Sequence, residues 1–280
     1  MKSENKNNFD KKTVDDFGNE WSSFDQTNNL EELTKIYSNY FKIFPYDKIN
    51  QKHVGFDAGC GTGRWAYFTA EKVKKIYCIE PSIKAINVAK QNLKFKNNCL
   101  FFNQTINEFF DDTKQYFDFG YSLGVIHHIP DTLSALQSMT SRLKPNAPLL
   151  LYIYYNFENR SFMYIFIWKI SNIVRFFISK LPFYIKKKIT DLIALLIYYP
   201  LAKLNLFLDF LNIKKISFPL SYYKNKSFYV MRNDSLDRFG TRLEKRFSKK
   251  QIKKYMIEAS LKDIIFYDKE PFWIVVGYKK

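Results

Sequence analysis

The chain's 280 residues suffice for one large domain, or a domain with an appendage, around an ample hydrophobic core. Its three cysteines, Cys60, Cys78 and Cys99, are odd in number and lack C-x-x-C spacing, which argues against a disulfide framework or a zinc site and fits a reducing cytoplasm. A net charge of +17 raises nucleic acid or an anionic membrane as partners, but the lysines are scattered and neither a long basic tail nor an RNA-binding motif occurs, so a dedicated nucleic-acid face is disfavoured.

Residues 1–52 read as helices and loops ahead of the sheet, an N-terminal helical cap. The first of them (Met1-Lys2-Ser3-Glu4-Asn5-Lys6) are polar, so no secretory signal is expected and a cytoplasmic location is. The aromatic stretch Phe17-Gly18-Asn19-Glu20-Trp21-Ser22-Ser23-Phe24 could cover a ligand or simply pack on the sheet.

The most informative segment follows, His53 to Trp65. An apolar run ends in Asp57, glycines stand at alternate positions Gly59, Gly61 and Gly63, and a helix start comes next. Glycine there lets the backbone turn sharply and a ligand come close, and the amides opening the helix point at that ligand. This is a nucleotide-type cofactor loop at the end of a first strand. The dinucleotide pattern G-x-G-x-x-G fails at Arg64 when begun at Gly59. Begun at Gly61 it reaches Ala66, which the looser form allows, so the loop alone leaves a nicotinamide cofactor open. Glu80 closes the apolar run Ile76-Tyr77-Cys78-Ile79, 17 positions after Gly63, where an acid can bind ribose hydroxyls.

From there short β-rich runs alternate with helical patterns, which implies a parallel sheet covered on both faces. Strands are expected near 53–57, 75–79, 99–103, 117–121 and 148–154, and helices near 63–72, 82–95 and 131–142. The chain should end in a helix (Lys249 to Ala259) and two strands, Ile264–Tyr267 and Phe272–Tyr278.

Residues 156–235 interrupt this order, far longer than an ordinary loop. Phe162-Met163-Tyr164-Ile165-Phe166-Ile167-Trp168 opens a helix with Lys169, Asn172, Arg175 and Ser179 on one face. Asp191 to Ala202 forms a second apolar segment that Pro200 should stop. Neither reaches the roughly 20 uninterrupted apolar residues of a membrane-crossing helix, so both are expected to be amphipathic. The insert reads as a lid and substrate pocket, a homodimer interface, or a surface resting on a membrane through 161–211, with Lys186-Lys187-Lys188 near headgroups. A lid that also associates is the expectation carried forward.

Four ordered blocks carry a family resemblance. They are Asp57-x-Gly59-x-Gly61-x-Gly63, the acid Glu80, the run Phe117-Asp118-Phe119-Gly120-Tyr121-Ser122-Leu123-Gly124-Val125-Ile126-His127-His128-Ile129-Pro130-Asp131, and Leu143-Lys144-Pro145-Asn146-Ala147-Pro148. Together, over 53–155, they resemble the class I S-adenosylmethionine-dependent methyltransferases of small molecules. The resemblance implies a doubly wound, Rossmann-like α/β sheet with a terminal β-hairpin, here with a helical insert, and S-adenosylmethionine as cofactor. Residues 53–155 would form the donor-binding core, completed by 236–280. By position, Asp57, Gly59, Gly61 and Gly63 would line the methionine and ribose side, Glu80 would take both ribose hydroxyls, and Leu123 would touch the donor through its backbone. Thr105 and Ile106 stand where the family usually has Asp-Ala beside the adenine, so a hydroxyl would have to serve the adenine amino group.

His127 and His128 lie on the loop where ligands bind in α/β sheets. One is expected to act at the acceptor, His127 slightly ahead, since adjacent residues face different ways. The Asn-Pro-Pro-Tyr type motif of amino-group methyltransferases is replaced by Ser122-Leu123-Gly124-Val125, which turns the expectation from nucleic acid towards a small or lipid- or glycan-linked acceptor at oxygen or carbon. Tyr222, Arg232, Arg238 and Arg242 follow the insert and could clamp a carboxylate or phosphate on that acceptor, or form a solvated turn. No metal is required. The alternatives are an RNA methyltransferase, or a non-catalytic scaffold that keeps the fold, at which Thr105 hints.

Overall fold

Residues 8–24, 30–211 and 220–280 are described by the computed structural model; the polar start at 1–6 and part of the insert, 212–219, lie outside them. Two units emerge, Met1–Glu158 with Leu243–Lys280, and Asn159–Arg242. The first runs α1 (Lys11–Ser23), α2 (Leu30–Tyr40), β1 (Val54–Ala58), α3 (Arg64–Thr69), β2 (Lys75–Ile79), α4 (Ile83–Asn92), β3 (Cys99–Phe102), α5 (Ile106–Asp112), β4 (Phe119–Leu123), α6 (Thr132–Ser141) and β5 (Pro148–Tyr152). The second holds α7 (Phe162–Ile178), α8 (Phe183–Ile193), α9 (Tyr199–Phe210) and α10 (Phe228–Gly240), after which α11 (Lys249–Glu258), β6 (Leu261–Tyr267) and β7 (Ile274–Lys279) complete the first.

The seven strands form one sheet in the order β3-β2-β1-β4-β5-β7-β6, parallel through β5 and antiparallel at β7 and β6. This is the Rossmann-like α/β sheet with a terminal hairpin. Its order reverses between β1 and β4, so the loops leaving those two strands open a crevice where ligands bind in such sheets. The two strands meet closely because each glycine makes room for the other's ring: Gly55 pairs with Phe119, and Phe56 with Gly120. A Cβ at either glycine would come within 2.2 Å of a ring carbon of the facing phenylalanine. On one face α2 adds Leu33 and Tyr37, and the following loop Phe41, to a core that includes Ile76, Phe119 and Leu150.

Helix starts follow side-chain capping. Ser82 caps α4, Asp131 caps α6, and Ser248 with Gln251 forms a capping box on α11. Thr105 and Glu108 do the same for α5, a helix the sequence periodicity did not suggest because it is only 7 residues long.

The second unit departs from the sequence expectations in two ways. It extends to Arg242 rather than 235, because α10, read as a polar connection, is a helix packed on α7 and α8. Its Met231 and Phe239 join Ile178, Tyr198 and Ala202 in a small core. Pro200 does not stop its helix either. The chain is helical from Phe183 to Phe210, 28 residues, through a π-helical segment at Ala194–Tyr198. Pro200 stands in the first turn after that segment, where its missing N–H is least needed. The whole is long and apolar enough, by length and composition, to cross a membrane. It is the one such helix among the described residues.

Candidate active site

At the carboxyl ends of β1, β2 and β4 lies a cavity of about 860 Å³, counted with the open solvent at its mouth. Its floor is the glycine loop. Gly61 has φ +53°, and a Cβ there would meet nothing nearer than 3.4 Å, at the Trp21 indole, so the loop's backbone is open to a ligand. Ser122 Oγ, donating to Ala58 O at 2.8 Å, ties the two strand ends together beneath it.

Glu80 points into this cavity and is held at both oxygens. Oε2 accepts from Gly61 N at 3.1 Å and Oε1 from Ser82 N at 2.9 Å. Asn103 steadies the same turn, donating to Glu80 O and Pro81 O at 3.0 and 2.9 Å. Burial raises the Glu80 carboxyl to about 7, against the pull of the Gly61 and Ser82 amides. Among the described residues the hydroxyls of Thr13 and Thr62, on the cavity wall, are buried with no hydrogen-bond partner, so the wall offers polar atoms to a ligand or water.

The cavity is roofed by α1. Phe17 and Trp21 stack on each other and line it, and the Arg64 guanidinium lies over Trp21 at 4.7 Å and Trp65 at 4.6 Å. The aromatic N-terminal stretch therefore covers the site as well as packing on the fold. At the far wall, His128 Nδ1 sits 2.6 Å from Leu243 O. A carbonyl only accepts, so Nδ1 carries the proton. Phe17 meets that ring edge-on at 4.9 Å.

A family profile described as "Methyltransferase domain" matches residues 56–149, the stretch that builds the loops of this cavity. Residues 56–149 are a class I S-adenosylmethionine-dependent methyltransferase domain. Its cofactor is S-adenosylmethionine. An uncharacterized RNA methyltransferase of Bacillus cereus is 39% identical over 75 residues, 27% of this chain and 16% of that protein. The chain thus spans about a sixth of the length of the curated relatives it matches. Magnesium protoporphyrin IX methyltransferase from Synechocystis PCC 6803, solved with S-adenosylhomocysteine, shares the fold at TM-score 0.54, with 12% identity and 94% of each chain covered. An N-methyltransferase from Bradyrhizobium japonicum WM9 aligns at TM-score 0.44 and 20% identity, over 50% of this chain and 72% of that one.

The methyltransferase cavity brings together Gly59, Gly61, Glu80, Thr105, Ile106, Leu123 and His128 of the residues singled out from sequence. It leaves out Asp57 and Gly63. Asp57 is fully buried behind the loop, and burial, with the Glu80 charge adding to it, lifts its carboxyl to about 8. Burial thus favours its neutral form, which avoids an unpaired buried charge. Gly63, at φ +76°, opens α3 against α4. A Cβ there would strike Leu93 Cδ1 at 2.6 Å, so its lack of a side chain serves helix packing.

Thr105 lines the cavity, and its oxygen also accepts from Glu108 N at 3.2 Å to cap α5, which leaves its second lone pair for a ligand. The preference for His127 is corrected. Its ring is fully buried, stacks on Tyr154 at 3.8 Å, and accepts from Tyr154 N at 3.4 Å, outside the cavity lining. Burial first, then the nearby His128 and Arg246, hold its pKa well below the usual imidazole range.

The proposed acceptor ligands take up structural work in the helical unit and do not line this cavity. Arg232 makes a bidentate pair with Asp191, Nε–Oδ1 and Nη2–Oδ2 both 2.8 Å. Arg238 donates to Ser171 Oγ at 3.0 Å, Arg242 to Lys180 O at 3.4 Å, and Tyr222 packs on Tyr223. Sequence reasoning missed Thr13, which no motif marks, and Thr62, whose hydroxyl stood between the glycines in plain view. Arg64 was noticed only as the residue that breaks a dinucleotide pattern.

Proposed function

We propose that the chain transfers a methyl group from S-adenosylmethionine to a small-molecule or lipid- or glycan-linked acceptor, at oxygen or carbon. The observation that carries this reading is His128, whose imidazole lines the donor cavity with Nδ1 donating to Leu243 O.

The donor supplies an electrophilic methyl on a sulfonium, open to in-line displacement. The protein's part is chiefly to position both reactants. Glu80, anchored by Gly61 N and Ser82 N, would hold the ribose hydroxyls with its oxygens. Thr13 and Thr62 offer hydroxyls to the donor's polar groups, and the Phe17 and Trp21 roof excludes water. His128 Nε2 would take the acceptor's proton as the new bond to the methyl carbon forms, while the sulfur keeps the electron pair of the bond that breaks. A positioned base of this kind is worth roughly 10²–10⁴-fold.

The test is methyl-labelled donor incubated with the purified chain and panels of hydroxyl and acidic-carbon acceptors, beside His128→Ala. Transfer that needs His128, with S-adenosylhomocysteine binding intact in the variant, supports the reading. A second reading, an RNA acceptor, is favoured by the +17 charge and by the similarity to an uncharacterized RNA methyltransferase of Bacillus cereus. It predicts RNA binding that falls steeply with salt, and weak, salt-insensitive association would remove it. A scaffold without catalysis would show no donor binding at any attainable concentration.

A further inference from the structure

Two helical segments of the second unit expose a broad apolar face and hold their polar residues on the side turned to their own unit. On α7, Met163, Phe166, Ile170, Ile173 and Phe177 recur at steps of three and four and all face outward, Phe177 being 64% exposed. The opposite face carries Asn172 and Arg175, which donates to Asn172 Oδ1 at 2.8 Å and to Thr241 O at 2.9 Å. Along Phe183–Phe210 the buried positions are Lys186, Thr190, Ala194, Tyr198, Ala202 and Asn205. Lys186 Nζ donates to Gly240 O at 2.9 Å, and Ser235 Oγ to Thr190 O at 2.9 Å. Leu192, Leu196, Phe207 and Phe210 point out.

In water the hydrophobic effect turns an amphipathic helix the other way, apolar stripe inward. Small and polar residues inside, with large apolar ones outside, is the arrangement of helices whose outer face meets lipid. Charge narrows the kind of lipid. Residues 159–242 contain 15 Lys and Arg against 4 Asp and Glu, so this unit carries +11 of the chain's net +17. Lys180, Lys188 and Lys203 lie over the exposed rings of Phe176, Tyr184 and Tyr199, at 3.4, 4.3 and 5.3 Å. Such pairs suit the boundary between acyl chains and headgroups, ring immersed and ammonium raised. A second copy of the chain would instead set like charge against like.

We propose that the outer faces of α7 and of Phe183–Phe210 dock on an anionic lipid bilayer, the helices lying in one leaflet with their apolar side chains immersed. The helix is long enough to cross, but the stripe of Lys186, Thr190 and Asn205 and the Asp191–Arg232 pair hold one side of it against the rest of its unit. One apolar face and one polar face define an in-plane helix.

The experiment is flotation of the full-length protein with vesicles of phosphatidylcholine alone, or with about a third phosphatidylglycerol. The protein should float with the anionic vesicles and, since apolar immersion is part of the binding, stay partly bound at about 0.5 M salt, where exposed charges are screened. The double variant Leu196→Asp/Phe207→Asp should bind at least roughly tenfold more weakly. Lys180→Gln, Lys188→Gln and Lys203→Gln should each cost about fivefold on anionic vesicles only. An unchanged S-adenosylhomocysteine-induced melting shift checks that the variants fold. Wild-type protein left at the bottom of the gradient with both vesicle types overturns the proposal, as does a double variant that floats like wild type. So does a dimer in light scattering that the double variant dissolves while vesicles go unbound, since the face would then be a self-association surface.

Discussion

In the α/β unit the chain hides its apolar residues and gathers its polar ones around a cavity; in the helical unit it does the reverse. Leu149, Leu150 and Leu151 of β5 are fully buried, while Leu192, Leu195 and Leu196 are half exposed or more. Leucine is the same residue in both places, so the difference lies in what each surface is meant to meet. The first unit's inside-out exception is its site, where buried Thr13, Thr62 and Glu80 are polar because a ligand is polar. The second unit's exception is its whole outer face.

The sharpest way to break this comparison is at the cavity wall. His128→Ala should lower kcat by roughly 10²–10⁴-fold while S-adenosylhomocysteine affinity stays within a few-fold, read by single-turnover methyl transfer and calorimetry. His127→Ala should instead lower the melting temperature, because it empties a packed position against Tyr154. If His127→Ala spares stability and His128→Ala spares catalysis, the assignment of the two rings is wrong.

The next largest effect belongs to the donor. Glu80→Ala removes the carboxylate fixed by Gly61 N and Ser82 N and should weaken S-adenosylhomocysteine by about a hundredfold or more in calorimetry. Vesicle flotation of the same variant should not change. Affinity that survives the substitution would move the donor elsewhere.

What was legible in the sequence follows from how local each requirement is. The glycine loop and Glu80 could be read because a tight turn after a strand, and an acid after the next strand, are needs of the immediate backbone. The strand positions were legible from their short β-rich runs, and the closing hairpin from the family resemblance. Which histidine faces the cavity was not, because it depends on Leu243 O, contributed by a chain segment 115 positions away. Pro200 looked like a stop because nothing in the sequence announces a π-helical segment just before it. The helix α10 looked like a solvated connection because its polar residues bond inside their unit, a pattern that amphipathic periodicity cannot separate from exposure.

Acidity offers a smaller effect with opposite signs for the empty and the loaded protein. Glu80 and Asp57 titrate near 7 and 8 in the folded chain, above their ordinary values of 4.5 and 3.8, so the folded state binds more protons than the unfolded one between those limits. Stability of the protein without ligand should therefore rise as pH is lowered from about 8 to 6, since protonation relieves buried charge. Ribose hydroxyls are better held by the ionised Glu80, so S-adenosylhomocysteine affinity should fall by roughly tenfold over the same range. A melting series with and without ligand checks both. Parallel curves would mean that Glu80 does not change its protonation on binding.

The smallest effect tests the helical unit from within. If Arg232 is a structural partner of Asp191, Arg232→Ala and Asp191→Ala should each destabilise by about 1 kcal/mol, modest because the pair is partly exposed. The two losses should not add, since either change removes the same bidentate contact. An arginine that clamps an acceptor behaves otherwise: Arg232→Ala would raise KM for the acceptor and leave the melting temperature alone, and Asp191→Ala would not reproduce it. Melting of the two single variants and the double variant, with KM for any acceptor found, separates the cases. A non-additive melting cycle with KM unmoved keeps the guanidinium inside its own unit, where the polar interior and the apolar exterior are two sides of one design.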